Sequence, residues 1–395
     1  MLQQKIKTLA AKYANENIET RHHLHANPEL SYVEFETSQY VQNRLTAIGI
    51  PYTIMATTGV VGIIHGNNPN SSIIALRADM DALPILEQND VPYKSKNDGV
   101  MHACGHDVHT TCLLGAAKIL YELKAEWEGT VKLIFQPGEE KNPGGASIMI
   151  KDGVLHNPAP QAIVGMHVNP QLEVGKLSFR SGMVMASADE LYITLTGKGG
   201  HAAAPHYTQD SLLAASHIII GLQHIISRNN NPFNPSLITI TSIHGGNTTN
   251  VIPSEVKMMG TLRCMNEEWR AKAHQLITKY VTETAATMGL EATVHIDIGY
   301  PYVLNNEVIT EQARAAAKQY IDPILVEETE LRMGAEDFGY YSHQIPGTFF
   351  RLGTRNEAKD ITIGVHTPTF NIDESAIEIG VGIMAWLGVT VNKDH

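Results

Sequence analysis

Met101-His102-Ala103-Cys104-Gly105-His106-Asp107 sets a thiol and an imidazole two residues apart in a run too polar and too glycine-broken for a core. That pairing is suited to holding a transition metal. A structural zinc site would add thiolates in Cys-x-x-Cys pairs. The other cysteines, Cys112 and Cys264, instead stand alone in apolar or strand-like surroundings. Further ligands must then be His, Asp or Glu, and mixed sets of that kind are characteristic of catalytic sites. His167, His366 and the adjacent Glu139 and Glu140 are candidates. Cys104, His106, His167, His366 and one of the two glutamates give more donors than a single four-coordinate ion with an open position can use. Two divalent ions sharing a bridging ligand are therefore expected. The other glutamate is left to take a proton from an activated water, and the residues alone do not say which glutamate is which.

These side chains must be delivered by elements that alternate. Ser72 to Arg77 reads as a buried strand running into Asp79 and Asp81, and Thr130 to Phe135 as a strand stopped by Pro137-Gly138 just before Glu139 and Glu140. Ala162 to Met166 is a third apolar strand, delivering His167. Helical spacing appears over Tyr40–Gly49, Thr110–Leu123 and Gly144–Ile150. Strands alternating with helices predict a largely parallel sheet, whose ligands gather outside the carboxyl ends of the strands. Asp79 and Asp81 are either turn residues or partners that orient metal-bound histidines. His22, His23 and His25 read as helix-surface residues.

From about Glu190 the order becomes strand Glu190–Thr196, helix Ser211–Arg228, strands Leu237–His244 and Glu255–Leu262, helix Glu267–Met288 and strand Ala292–Ile298. This βαββαβ order predicts a ferredoxin-like α+β module. The expected organisation is an α/β metal-binding catalytic domain, 1–184 plus 300–395, interrupted by an inserted domain at 185–299.

The 395-residue length and 43% hydrophobic content allow two cores. A net charge of −12 argues against nucleic acid as a partner and favours a small-molecule substrate. No apolar run reaches the roughly 18 residues of a spanning helix, so no membrane role is expected. An odd number of cysteines and the lack of a charged-then-apolar leader point to the cytoplasm.

Arg77-Ala78-Asp79-Met80-Asp81-Ala82-Leu83-Pro84, Met101–Asp107, Gln136–Glu140, Gly165-Met166-His167 and His366-Thr367-Pro368-Thr369-Phe370 together resemble the M20 metallopeptidase family. Within it they are similar to the amidohydrolase branch of N-acyl-amino-acid, hippurate and auxin-conjugate (IAA-amino acid) hydrolases, and the likeness covers nearly the whole chain. It implies Cys104, His106, Glu140, His167 and His366 as ligands of two divalent ions per subunit, Zn, Mn, Co or Ni, with Glu139 as general acid and base. It further implies hydrolysis of N-acyl amino acids by metal-activated water. His201 in Gly197–Pro205 would stabilise the oxyanion, and Asn250 in Gly245–Pro253 would contact substrate. The inserted module would act as a lid and homodimerisation domain. Arg263, at a strand end, could bind a substrate carboxylate. Ala335 departs from the serine that relatives carry in Met333–Phe338. The alternatives are a dipeptidase or carboxypeptidase on the same scaffold, and a metal-dependent binding protein without turnover.

Overall fold

An apolar strand that does not alternate needs cover on both faces. Ile73–Asp79 and Thr130–Gln136 are buried along nearly their whole length, as is Ala162–Glu173 up to Pro170. In the computed structural model, which describes residues 1–391, these strands lie side by side within an eight-stranded sheet. Its order is Tyr52–Met55, Gly59–His65, Thr130–Gln136, Ile73–Asp79, Ala162–Glu173, Gly347–Arg355, Leu177–Phe179 and Val326–Glu328. The four central strands are mutually parallel. Antiparallel pairings join Tyr52–Met55 to Gly59–His65, Gly59–His65 to Thr130–Gln136, and Leu177–Phe179 to Gly347–Arg355.

Asp79 pairs with Gln136 and Arg77 with Gly165, which brings Asp79, Gln136 and His167 level at the carboxyl ends of three neighbouring strands. The Ala162–Glu173 strand does not stop before His167 but runs six residues past it, because Gly347–Arg355 continues to pair with it there. The helix expected from Thr110 begins earlier and spans His106–Glu122, and Phe35–Ile48 likewise begins earlier than the Tyr40 of the sequence pattern. His106–Glu122 packs tightly against Ser375–Thr390: a Cβ on Gly380 would meet Cys112 Sγ at 2.5 Å. Cys112 is therefore a core thiol, and burial pushes its pKa up.

The chain divides into two compact units. One comprises Met1–Val184, Leu304–Leu331 and the chain from Asp337 on; the other comprises Met185–Val303 and Arg332–Glu336. The second unit holds a four-stranded antiparallel sheet ordered Ser236–His244, Glu255–Cys264, Asp189–Thr196, Glu291–Ile298. In chain order these are strands 2-3-1-4, with the helices Ser211–Asn229 and Glu267–Thr287 following the first and third. Burial alternates along Asp189–Thr196, and its inward Leu191, Ile193 and Leu195 share a core with Ile218, Leu222, Ile277 and Val281. Asp210 and Asn266 cap the two helices through side-chain bonds to Leu213 N and Trp269 N. Arg270 binds Asp189 through Nε at 2.9 Å and Nη2 at 2.6 Å, while His274 Nε2 lies 2.7 Å from the same carboxylate. No helix among the described residues is long and apolar enough to cross a membrane.

Candidate metal centre

Gly105 has a φ of +88°, a left-handed conformation that costs glycine little. It turns the chain sharply between Cys104 and the first residue of the His106–Glu122 helix, and a Cβ there would lie 2.5 Å from Val168 Cγ2. Both donors thus face one place. Cys104 Sγ lies 3.4 Å from His167 Nε2 and 3.3 Å from His366 Nε2. Glu140 Oε1 is 3.3 Å from His366 Nε2 and 3.9 Å from His106 Nε2. Within this set, the donor atoms of Cys104, His106 and His167, of Cys104, Glu140 and His366, and of His106, Glu139 and Glu140 each form a group lying within 4.8 Å. The five residues expected as ligands are therefore brought together, with Glu139 beside them.

The histidine tautomers suit ligation. His106 Nδ1 lies 3.1 Å from Asp81 Oδ1 and His167 Nδ1 lies 2.7 Å from the carbonyl of Val168, so that in the neutral ring each Nε2 is the nitrogen free to ligate. His106 Nε2 and Glu140 Oε1 are buried without a hydrogen bond among the described residues, since His366 approaches Glu140 in a geometry that makes none. Buried polar atoms without partners are rare. Two of them aimed at a thiol and two more imidazoles fit a divalent cation. His109 also falls in a cluster with Asp79 and His106, but it is otherwise engaged. Its Nδ1 bonds Asp79 at 2.6 Å and its Nε2 accepts Val168 N at 2.9 Å, so it is a strut rather than a ligand.

The electrostatics point the same way. Burial opposes protonation of His106, but Asp79, Asp81 and Glu140 outweigh it and push its pKa up to about 10. A cation entering the site displaces that proton. Burial, reinforced by Glu140, Glu139 and Asp79, pushes the Cys104 thiol well above its usual range. A thiol there becomes a thiolate only beside a cation. Burial, with help from His109 and Arg351, holds His167 well below the ordinary histidine value, in the neutral form a metal accepts.

Several contributors were not legible in the sequence. Asp337 reaches back about 200 positions: its backbone N–H points to Glu139 Oε1 at 3.4 Å, and its carboxylate accepts from Gln136, Ala146 N and Arg77. Only the run Met333–Phe338 hinted at it. His25 is buried, contrary to its surface reading. Its Nδ1 lies 2.8 Å from Asp107 Oδ2, which Arg21 Nε also reaches at 2.9 Å. Helix Ala14–Ala26 turns that face inward to meet the first turn of His106–Glu122, and its mostly polar sequence gave no apolar stripe to announce this. Burial would raise the Asp107 pKa, but Arg21 and His25 outweigh it and hold it well below the carboxylate range. His22 is half-buried against Glu374, whereas His23 is exposed.

His201, Asn250 and Arg263 belong to the second unit. His201 pairs with Val251 in a two-stranded ladder, and Ala202 N donates to the carbonyl of Asn250, so the two glycine-rich segments meet. Both side chains are exposed. Arg263 is half-buried on Glu255–Cys264, and its Nη1 has no hydrogen-bond partner among the described residues.

The chain matches the model of Peptidase family M20/M25/M40 over residues 75–387. It is 41% identical over 362 residues to an N-acetyl-L-cysteine deacetylase of Bacillus subtilis, covering 90% of this chain and 83% of the relative. It is 38% identical over 392 residues to thermostable carboxypeptidase 2 of Saccharolobus solfataricus, covering 98% of each. A solved Bacillus subtilis protein described as a dinuclear metal-binding peptidase of the M20 family superposes with a TM-score of 0.82 at 35% identity, over 96% of this chain and 98% of that one. Clustered Cys, His and Glu donors fit such a metal-binding hydrolase, and with these matches they place the chain in peptidase family M20/M25/M40, as a metal-dependent amidohydrolase.

Proposed function

We propose that the protein hydrolyses the amide bond of N-acyl amino acids, releasing a carboxylic acid and a free amino acid. The observation that carries this reading is the convergence of Cys104, His106, Glu140, His167 and His366 with the buried Glu139 beside them. These five would hold two divalent ions, Zn, Mn, Co or Ni, which when bound supply Lewis acidity that lowers the pKa of a water from 15.7 toward about 7. Glu139 takes the proton from the attacking water and later delivers it to the departing amine. The Asp337 N–H directed at Glu139 Oε1 supports this role by fixing the carboxylate. His201 donates to the developing oxyanion, Asn250 contacts the substrate, and the unpartnered Arg263 Nη1 receives the substrate carboxylate.

Glu139→Gln keeps shape and loses basicity, so turnover should vanish while metal content stays at the wild-type level. A fully active variant refutes the role. A carboxypeptidase or dipeptidase is the second reading, favoured by the relative from Saccharolobus solfataricus. Rates on hippurate, N-acetyl amino acids and unblocked dipeptides separate them: an acylase rejects a free α-amine and a dipeptidase prefers it. Turnover on any of the three separates an enzyme from a mere binding protein. We place the protein in the cytoplasm as a homodimer formed through the second unit, whose helix Ser211–Asn229 exposes Leu213 and Ile220. Sedimentation at the monomer mass would remove the dimer.

A further inference from the structure

The loop from Gly138 to Gly144 carries Glu139 and Glu140, and loops position catalytic groups well only when something rigid holds them. An N-terminal segment that has no part in the donor set does this here. Glu34, fully buried, accepts Gly138 N at 2.8 Å and Tyr32 N at 2.9 Å on Oε1, and the Thr58 hydroxyl at 2.9 Å on Oε2. The Tyr32 hydroxyl donates to the carbonyl of Lys141 and accepts Gly144 N at 3.0 Å. Ser31 Oγ donates to Asp81 Oδ2 at 2.6 Å, the same oxygen that accepts Glu140 N at 2.9 Å.

Two features set this contact apart from ordinary loop packing. Tyr32 has a φ of +68°, a left-handed conformation that an aromatic residue keeps only where its surroundings insist. That conformation lays the ring on Gly138, where a Cβ would lie 2.2 Å from Tyr32 Cε1. Gly138 itself has a φ of +60°. The Glu34 carboxyl is pushed up to about 7 by burial and then by Asp81, yet it is retained against three donors. A strained residue and a costly buried carboxyl thus converge on one loop.

We propose that Ser31–Glu34 is a positioning brace, in which Tyr32 and Glu34 hold the backbone of Gly138–Gly144 so that Glu139 and Glu140 present their carboxylates to the metal centre. The proposal rests on the roles given above to those two glutamates, and its test separates the two. Hydrogen exchange over residues 138–146 is measured in metal-free wild type and in Tyr32→Phe, which keeps the ring and loses both hydroxyl bonds. Exchange there should quicken at least about fivefold, the effect of one ordinary hydrogen bond where two are lost. Unchanged exchange overturns the brace, whatever the activity. On whichever of the three substrate classes named above is turned over, kcat of Tyr32→Phe should fall tenfold to a hundredfold, on the order expected for misplaced groups, with KM held. Faster exchange with kcat and metal retention unchanged also overturns the positioning role. Glu34→Gln keeps an oxygen for both backbone N–H groups and should rescue what Glu34→Ala loses; equal losses in the two variants would mean the acceptor is not what holds the loop.

Discussion

Asp81 shows how one side chain can serve two ligands. Its Oδ1 orients the His106 ring and its Oδ2 holds the backbone of Glu140, so donors from a helix start and a loop share one anchor. Burial would raise its pKa, but the bond to His106, together with Ser31 and Glu140 N, outweighs this and keeps it below the ordinary aspartate value. Replacing it by alanine should weaken metal binding about tenfold to a hundredfold, read by competition with a chelator. His109→Ala should cost far less affinity, because its nitrogens are spent on Asp79 and a backbone N–H; an equal loss would make His109 a ligand after all. The ligand types were readable from sequence because thiol, imidazole and carboxylate announce their chemistry. The order of Glu139 and Glu140 was not, since two adjacent carboxylates differ only in where the loop aims them. Nor was the inward turn of His25, which depends on Asp107 arriving from another helix.

The four strands of the larger sheet and the two long helices of the second unit were read to within two residues at their ends, because each carries a clean period: Glu255–Cys264 against an expected Glu255–Leu262, Ser211–Asn229 against Ser211–Arg228. Three of the four central parallel strands were equally plain as apolar runs, while the fourth, Gly347–Arg355, was not read from the sequence. What the pattern could not give was continuation beyond a polar residue, as where Ala162–Glu173 passes through His167, or a helix that begins on donor residues, as His106–Glu122 does. Gly105 is the joint that makes this start possible. Gly105→Ala forces a left-handed alanine and a 2.5 Å contact with Val168, so it should destabilise the fold by at least about 1–2 kcal/mol. The larger loss should be in metal affinity, because Cys104 and His106 no longer face the same point. Wild-type affinity in a folded Gly105→Ala protein would show that the turn is dispensable.

At the scale of the molecule, buried charge is distributed unevenly. In the second unit, Asp189 would be raised by burial, but the bonds from His274 and Arg270 and the Arg270 charge outweigh this and hold it below the usual range. A carboxylate so lowered binds fewer protons folded than unfolded. Its stabilisation is therefore present above about pH 4, the ordinary aspartate value, and is lost as pH falls through the lower folded value. Arg270→Met leaves Asp189 buried opposite only His274 and should cost about 3–5 kcal/mol, with that acid transition moving to higher pH in denaturation curves. An acid profile identical to wild type would deny the pair any part in it.

The thiol and the last imidazole of the centre stand 262 positions apart. A ribosome adds about 5–20 residues per second, so on the order of 10–50 s separates the emergence of Cys104 from that of His366. Throughout that interval the nascent chain offers a half-built nest of soft and hard donors to whatever ion or oxidant it meets. The donor set is complete only after His366 has emerged, and protein made in one growth medium and refolded in another is predicted to differ in its bound ion; identical metal content in the two preparations would show that timing has no part in the choice.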